Sequence, residues 1–547
     1  MAAAVSAGIS HELLLGVCSS TPKSRTLLRN NNSNFSILRS RTVPRSLSQR
    51  ENSEASSNAP EVSPIPVSNA QLENDGLPVP LLRRVRNAIK LDELGLEILS
   101  IAFPAALALA ADPIISLVDT AFVGHIGAVE LAAVGVSVSI FNLVSKLFNV
   151  PLLNITTSFV AEEQALLGER VSTSSVQSGD GSGIRSEELP SVSTSLVLAT
   201  IFGVAEAVAL YIGSGFLMNI MGIPVGSPMR VPAEQFLTLK AIGAPPIVIA
   251  LAAQGAFRGF KDTKTPLYAI GFGNLLNAIL DPILIFLCSF GIGGAAVATV
   301  ISEYLIAIIL LWKLNDKVKL VSPEMDGIRL IRYLNSGGLL IGRTVAVLLT
   351  MTLSTSLAAR EGPIFMAGHQ ICMQVWLAVS LLNDALAIAG QALLAGGYSK
   401  GQYEEARQVT YKVLQIGLGT GMALGATLLL GFGSFASLFT TDAEVLKIAS
   451  SGIWFVAGSQ PVNALAFVLD GLYYGVSDFG YAAYSMVVVG LVSSLFLLWA
   501  APLYGLPGVW AGLFLFMILR VIAGIWRLGD KNGPWKVVWA EANQEKE

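Results

Sequence analysis

The chain has 547 residues, of which 53% are hydrophobic and 13% charged, with a formal net charge of −3. An ordinary soluble domain is about 25% charged, so the body of the chain is not soluble; so small a net charge implies no polyanionic partner, no basic groove suggests nucleic acid, and none is expected. Three cysteines and three scattered histidines supply neither a disulfide framework nor a Cys/His metal site.

The first fifty residues hold thirteen Ser or Thr, seven Lys or Arg and a single acid, Glu12. A Ser-rich, basic, acid-poor leader reads as an organelle transit peptide over residues 1–50, and the apolar patch Leu13–Val17 is too short for a secretory signal core. Its Ser content, without an Arg-rich amphipathic helix, favours a plastid over a mitochondrion. Residues 51–90 are polar and Pro-rich, the composition of a disordered linker.

Twelve apolar stretches follow, near 98–122, 132–159, 193–221, 236–257, 266–288, 292–312, 331–358, 366–395, 411–438, 449–473, 482–503 and 507–528. Each reaches the roughly 20 residues that a helix needs to cross hydrocarbon. The expected fold class is therefore an all-α membrane protein with twelve transmembrane helices. A Ser/Gly-rich spacer at 171–183 separates the second and third spans, and residues 529–547 form a polar tail. Alternate loops carry the basic residues: Arg83, Arg84, Arg86 and Lys90, then Arg258, Lys261 and Lys264, then Lys313, Lys317, Lys319, Arg329 and Arg332, then Lys400, Arg407 and Lys412, and last Arg527, Lys531 and Lys536. The other loops hold little beyond Arg230, Arg360 and Lys447, so both termini are expected on the basic, synthesis side.

The spans are written twice. Gly255-Ala-Phe-Arg-Gly259-Phe-Lys-Asp262 closes a long apolar helix that holds Pro245, and 216 residues later Gly471-Leu-Tyr-Tyr-Gly475-Val-Ser-Asp478 closes another that holds Pro461. Gly135 and Gly368 fall in similar apolar frames, and an extra polar loop around Ser172 to Ser191 accounts for the unequal offset. The division expected is a first lobe at 91–313, a connecting loop at 314–330 and a second lobe at 331–528. Paired bundles of this kind are what alternating-access carriers use.

Ionisable side chains inside a bilayer are costly and mark functional cavities. Asp119 lies toward the end of the first span and Asp281 in the fifth. Asn277 precedes Asp281 by four residues, which puts the two on one helical face, and Pro282 can loosen the helix beside the carboxylate. Two carboxylates sharing a poorly hydrated pocket gain proton affinity from desolvation and mutual repulsion, the chemistry of a proton-driven carrier. A structural, hydrogen-bonded role for either acid is the alternative. Asp384 and Asp470 are the acids of the second half, without an Asn partner four residues earlier; Glu206 and Glu303 are weaker candidates. Lys146 and Arg343 lie in the second and seventh spans, where they would bind a carboxylate substrate or neutralise a neighbouring Asp.

The segment Leu117-Val-Asp119-Thr-Ala-Phe-Val-Gly-His-Ile-Gly-Ala-Val-Glu-Leu-Ala-Ala-Val-Gly135 resembles the first-helix signature of the MATE family of multidrug and toxic compound extrusion carriers. Phe257-Arg-Gly-Phe-Lys-Asp-Thr263-Lys-Thr-Pro266 resembles the family's helix four–five junction, and Asn277–Pro282 the helix-five motif of its DinF-like branch. The resemblance spans 91–528 and implies two pseudo-symmetric six-helix bundles about a central cleft, with ion-coupled antiport. It implies a proton site at Asp119, Asn277 and Asp281. The acidic pair that NorM-like members carry on helices seven and ten is missing: helix seven has no Glu, and Asn463 stands at the helix-ten position. Val136-Ser-Val-Ser-Ile-Phe-Asn142, Ile155-Thr-Thr-Ser-Phe-Val-Ala-Glu-Glu163 and Pro228-Met-Arg-Val-Pro232 resemble the plant branch containing citrate exporters, and the leader resembles that of its plastid-targeted DETOXIFICATION group.

The expectation is a monomeric, multi-pass plastid-envelope antiporter that exports an organic anion such as citrate in exchange for protons. No catalytic residue, metal or other cofactor is expected, and sodium stays open as the coupling ion. Partners are a small-molecule substrate and the lipid bilayer. An exporter of cationic or aromatic metabolites and a lipid flippase remain as rivals. A prenyltransferase would need clustered Asp-rich motifs for magnesium, whereas the acids here are dispersed.

Overall fold

The structure is a computed structural model that describes residues 92–175, 189–221, 223–318, 327–437, 442–530 and 533–544. The expected leader and linker at 1–90 lie outside the described residues, as does most of the Ser/Gly-rich spacer.

Asp92 caps the first helix, α1 (Glu93–Gly124), by accepting from the Gly95 amide at 3.0 Å. Helix α2 (Ala128–Ser175) runs four turns past the expected second span and takes up the start of the spacer. Helix α3 (Pro190–Ile220) opens on a proline, which loses nothing at a position whose N–H has no helical partner.

The fourth span departs from a continuous helix. It is two helices, α4 (Arg230–Ala241) and α5 (Ala244–Gly259), bent by 47°. The tenth breaks likewise: α11 (Ala443–Ser451) and α12 (Ile453–Gly458) meet α13 (Gln460–Gly475) at 49°. Pro245 and Pro461 supply the reason, since neither can donate to the preceding turn and the ring of each clashes with it. Arg230 ties the broken fourth span to the end of α3, donating to Asn219 Oδ1 at 2.6 Å and to the carbonyls of Ile223 and Gly215 at 2.7 and 2.8 Å. That cage explains an arginine on the side otherwise poor in basic residues.

Helix α6 (Lys264–Pro282) passes into one π-helical turn, Ile283–Leu287, before α7 (Ile292–Lys317). The second half continues with α8 (Gly327–Arg360), α9 (Pro363–Ser399) and α10 (Tyr403–Ala436), and after the broken span with α14 (Phe479–Tyr504) and α15 (Leu506–Gly529). Among the described residues ten helices are long and apolar enough to span a membrane, or twelve when each bent pair counts as one span. Within the expected polar tail, α16 (Trp535–Gln544) buries Trp535 and Val538 against the starts of α1 and α10.

The duplication recurs in three dimensions. A Cβ on Gly255 would stand 2.7 Å from the Leu153 carbonyl oxygen, and one on Gly471 would overlap the carbonyl of Ala387. So the small face of α5 lies on α2 as that of α13 lies on α9, the close backbone approach that Gly-x-x-x-Gly permits. Two residues after Gly259 and Gly475, Lys261 and Ser477 both take left-handed backbone angles, φ 60° and 56°.

The halves are fastened together toward the basic end. Gln391 Nε2 donates to the Asn154 carbonyl and to Ser158 Oγ, both at 2.9 Å, and Ser158 Oγ donates to the Tyr474 carbonyl at 2.7 Å. Around them Arg332 pairs with Glu162 at 2.8 Å, Lys412 with Asp92 at 2.7 Å, and the Tyr333 hydroxyl donates to the Ser191 carbonyl at 3.0 Å. Phe159 meets Tyr333 edge to face at 4.8 Å, sealing the same end with apolar contact.

Candidate functional site

Among the described residues, two charge centres stand out in the bundles, one in each half. In the first, α1 carries Asp119 and α6 carries Asn277 and Asp281. Asn277 Nδ2 donates to Asp119 Oδ1 at 3.0 Å. Asp281, one turn on, is fully buried, and neither of its carboxylate oxygens accepts a hydrogen bond within the described residues. The two carboxyls are near enough to hydrogen-bond to each other when one carries a proton. The π-helical turn begins directly after Pro282, so the backbone bonding changes register beside Asp281. Such turns re-aim side chains and are frequent at functional sites.

Further charged groups lie around this centre. Lys240 sits in the last turn of α4, just before the 47° break. Its Nζ lies 5.3 Å from the ring centre of Phe141 and 5.7 Å from that of Phe236, and within electrostatic range of Asp119, Glu303 and Asp281. Asp112, exposed on α1, is within range of Lys146 on α2. Glu206 is spoken for elsewhere: it accepts from Ser145 Oγ and, at 3.3 Å, from Asn149 Nδ2.

The second centre is a buried triad. Arg343 on α8 and Arg520 on α15 both donate to Asp470 Oδ2 on α13. Two guanidiniums on one carboxylate leave a formal charge of +1, and Tyr473, Ser485 and Met486 line the recess beside Asp470 and Arg520. Arg343 also stacks near Tyr474, its guanidinium carbon 5.6 Å from the ring centre. Asp384 on α9 stands within electrostatic range of Arg343 and of Arg258 from the first half. Asn463 donates to Ser380 Oγ at 2.8 Å and is fully buried.

Asp119, Asn277 and Asp281 thus come together. Lys146 and Arg343 fall into separate centres, each near an acid, Lys146 beside Asp112 and Arg343 on Asp470. Sequence reasoning missed Lys240, Asp112 and Arg520. Asp112-Pro113 repeats the Asp281-Pro282 pairing and could have been found; Lys240 and Arg520 are single cations in apolar runs whose partners come from distant elements.

The MatE family model matches residues 184–283 and 340–499. Protein DETOXIFICATION 44, chloroplastic, of Arabidopsis thaliana is 69% identical over 448 residues, 82% of this chain and 85% of that one. Protein DETOXIFICATION 45, chloroplastic, of the same plant is 51% identical over 80% of this chain and 79% of its own length. A crystal structure of MATE in the bent conformation matches in fold, with TM-score 0.68 at 19% identity, covering 85% of this chain and 99% of that one. On the family model and these relatives, the chain belongs to the MATE family of membrane transporters and is not an enzyme.

Proposed function

We propose that this transporter exports an organic anion such as citrate across a plastid envelope membrane in exchange for protons. The observation that carries the coupling ion is the meeting of Asp119, Asn277 and Asp281. Two carboxyls side by side, one held by an amide and the other without a donor, form a place where a proton is gained or lost as water reaches it from either side. In the cycle proposed, a proton arriving from the far side occupies the pair while substrate leaves, and its loss toward the basic side resets the carrier. The contacts that fasten the halves at the basic end describe the state closed to that side. Asn463, a buried amide paired with Ser380, leaves the second half without the acid pair a rival coupling site would need.

The anion assignment is supported by the second centre, where Arg343 and Arg520 exceed Asp470 by one positive charge, and by Lys146. A second reading has its own support: Asp112, Asp119, Asp281 and Glu303 outnumber Lys146 and Lys240 in the first half, which suits a cationic or aromatic metabolite. Chloroplastic relatives and the Ser-rich leader support the plastid location, and a monomer is the assembly proposed.

Labelled citrate flux in proteoliposomes under an imposed pH gradient tests this. Flux that follows the gradient and disappears in Asp119→Asn is the expected result. Flux of a cationic aromatic compound but not citrate, unaffected by neutralising Lys146 and Arg343, would replace the anion with the second reading.

A further inference from the structure

We infer that Lys240 is a built-in counter-cation of the Asp119–Asp281 site that keeps sodium out, leaving protons as the ions this site exchanges. The inference deepens the proton-coupling reading above and rests on it.

Lys240 is placed for this by the break in its span. The last turn of α4 ends inside the bundle because Pro245 and Pro246 prevent the helix from continuing straight, so a side chain from that turn meets the interior. Its ammonium lies against the rings of Phe141 and Phe236, from α2 and from α4 itself, at 5.3 and 5.7 Å. Aromatic faces attract a cation without carrying a charge, so they hold the ammonium yet leave it available to carboxylates. The groups facing this region are Asp112 and Asp119 of α1, Lys146 of α2, Asp281 of α6 and Glu303 of α7.

The acid pair is poor in hydrogen-bond donors. Asn277 gives one N–H to Asp119, and Asp281 has none among the described residues. An ionised pair so placed needs a cation. The ammonium of Lys240 makes no direct ion pair with them among the described residues, but from its place against the two rings it supplies that positive charge within electrostatic range. A sodium ion entering the acid pair would be repelled by that ammonium, since like charges in electrostatic range of each other in a poorly hydrated interior repel strongly. A proton is not excluded in this way. It joins a carboxyl oxygen directly and removes one negative charge, and the ammonium remains within electrostatic range of Glu303 and the remaining carboxylate. The compact, flexible lysine head can make a small shift between acids.

The test is equilibrium binding of radiolabelled sodium to the purified full-length protein in sodium-free potassium buffer. The proteins compared are wild type, Lys240→Met, Lys240→Arg and Lys240→Met combined with Asp119→Asn. Wild type and Lys240→Arg are expected to show no saturable binding. Lys240→Met is expected to bind sodium saturably, at least about tenfold more tightly than any wild-type signal, and to lose this in the double variant. Saturable sodium binding by wild type overturns the inference, as does its absence from monodisperse Lys240→Met protein; Lys240→Gln replaces Lys240→Met should that variant not fold. The underlying reading fails separately: pH-driven flux retained by Asp119→Asn removes proton coupling, whereas sodium binding is read without transport.

Discussion

Lys317 donates to Asp262 at 2.7 Å and so ties the last turn of α7 to the turn that opens α6. The same carboxylate accepts from the Thr265 amide at 3.0 Å and the Thr265 hydroxyl at 2.8 Å. In the second half Arg527 donates to Asp478 at 2.7 Å, joining the end of α15 to the turn that opens α14. The two halves therefore reuse one clasp at corresponding places, with lysine in one and arginine in the other.

The clasp predicts a pH effect. Burial works against ionised Asp262, but the Lys317 ammonium and the Thr265 donors outweigh it and hold the carboxyl below its ordinary value. Its contribution to stability is complete above the unfolded value of about 4 and is lost as pH falls through the lower folded value. Asp262→Asn should lower the thermal midpoint in detergent by about 1–3 °C at neutral pH. The difference from wild type should shrink below about pH 4; a difference that grows on acidification would refute the assignment.

Asn277→Ala should weaken pH-driven flux without abolishing it. It removes the amide that fixes Asp119 and leaves both carboxyls in place, at the cost of one hydrogen bond to a charged group, about 1.5–3 kcal/mol. Flux about tenfold below wild type is expected, whereas Asp281→Asn should eliminate the response to the gradient.

The triad on Asp470 predicts strong non-additivity. Arg343→Gln or Arg520→Gln alone leaves one guanidinium on the carboxylate, while the double variant strands a buried charge and should cost about 3–5 kcal/mol. Asp470→Asn added to the double variant should restore most of that loss. Fluorescence-monitored melting of the four proteins reads the pattern.

Gly471→Ala should destabilise by about 1–3 kcal/mol, the usual cost of overpacking, because its Cβ would overlap the Ala387 backbone. Gly458→Ala is the control, since no atom lies within 4 Å of the added carbon. Equal behaviour of the two variants would mean that α13 does not lie as closely on α9 as described.

Which parts were legible follows from how far the information lies along the chain. Span number, side preference and duplication are local or periodic, so they stand in the residues themselves. The Asn277–Asp281 face is likewise one turn of one helix. The break at Pro245 is not, because an apolar run containing proline reads the same whether the helix kinks mildly or parts. The pairing of Arg343 with Asp470 and Arg520 joins three spans, and sequence gives no distance between them. Lys240 is hidden for a related reason: one lysine near the start of an apolar run looks like an interface residue until the bend turns it inward.

The latch between the halves has a mechanical consequence. Its acceptors, the carbonyls of Asn154 and Tyr474, belong to α2 and α13, and they retain local donors from Ser158 Oγ at 3.2 Å and the Ser477 amide at 3.1 Å. Parting the bundles would therefore strand the Gln391 amide and the Ser158 hydroxyl's outward bond, while helical hydrogen bonding stays intact. Both groups lie where water would enter as the seam opens. Opening is thus a wetting event along the seam, and its rate should track how readily water wets the seam more than how stable either bundle is.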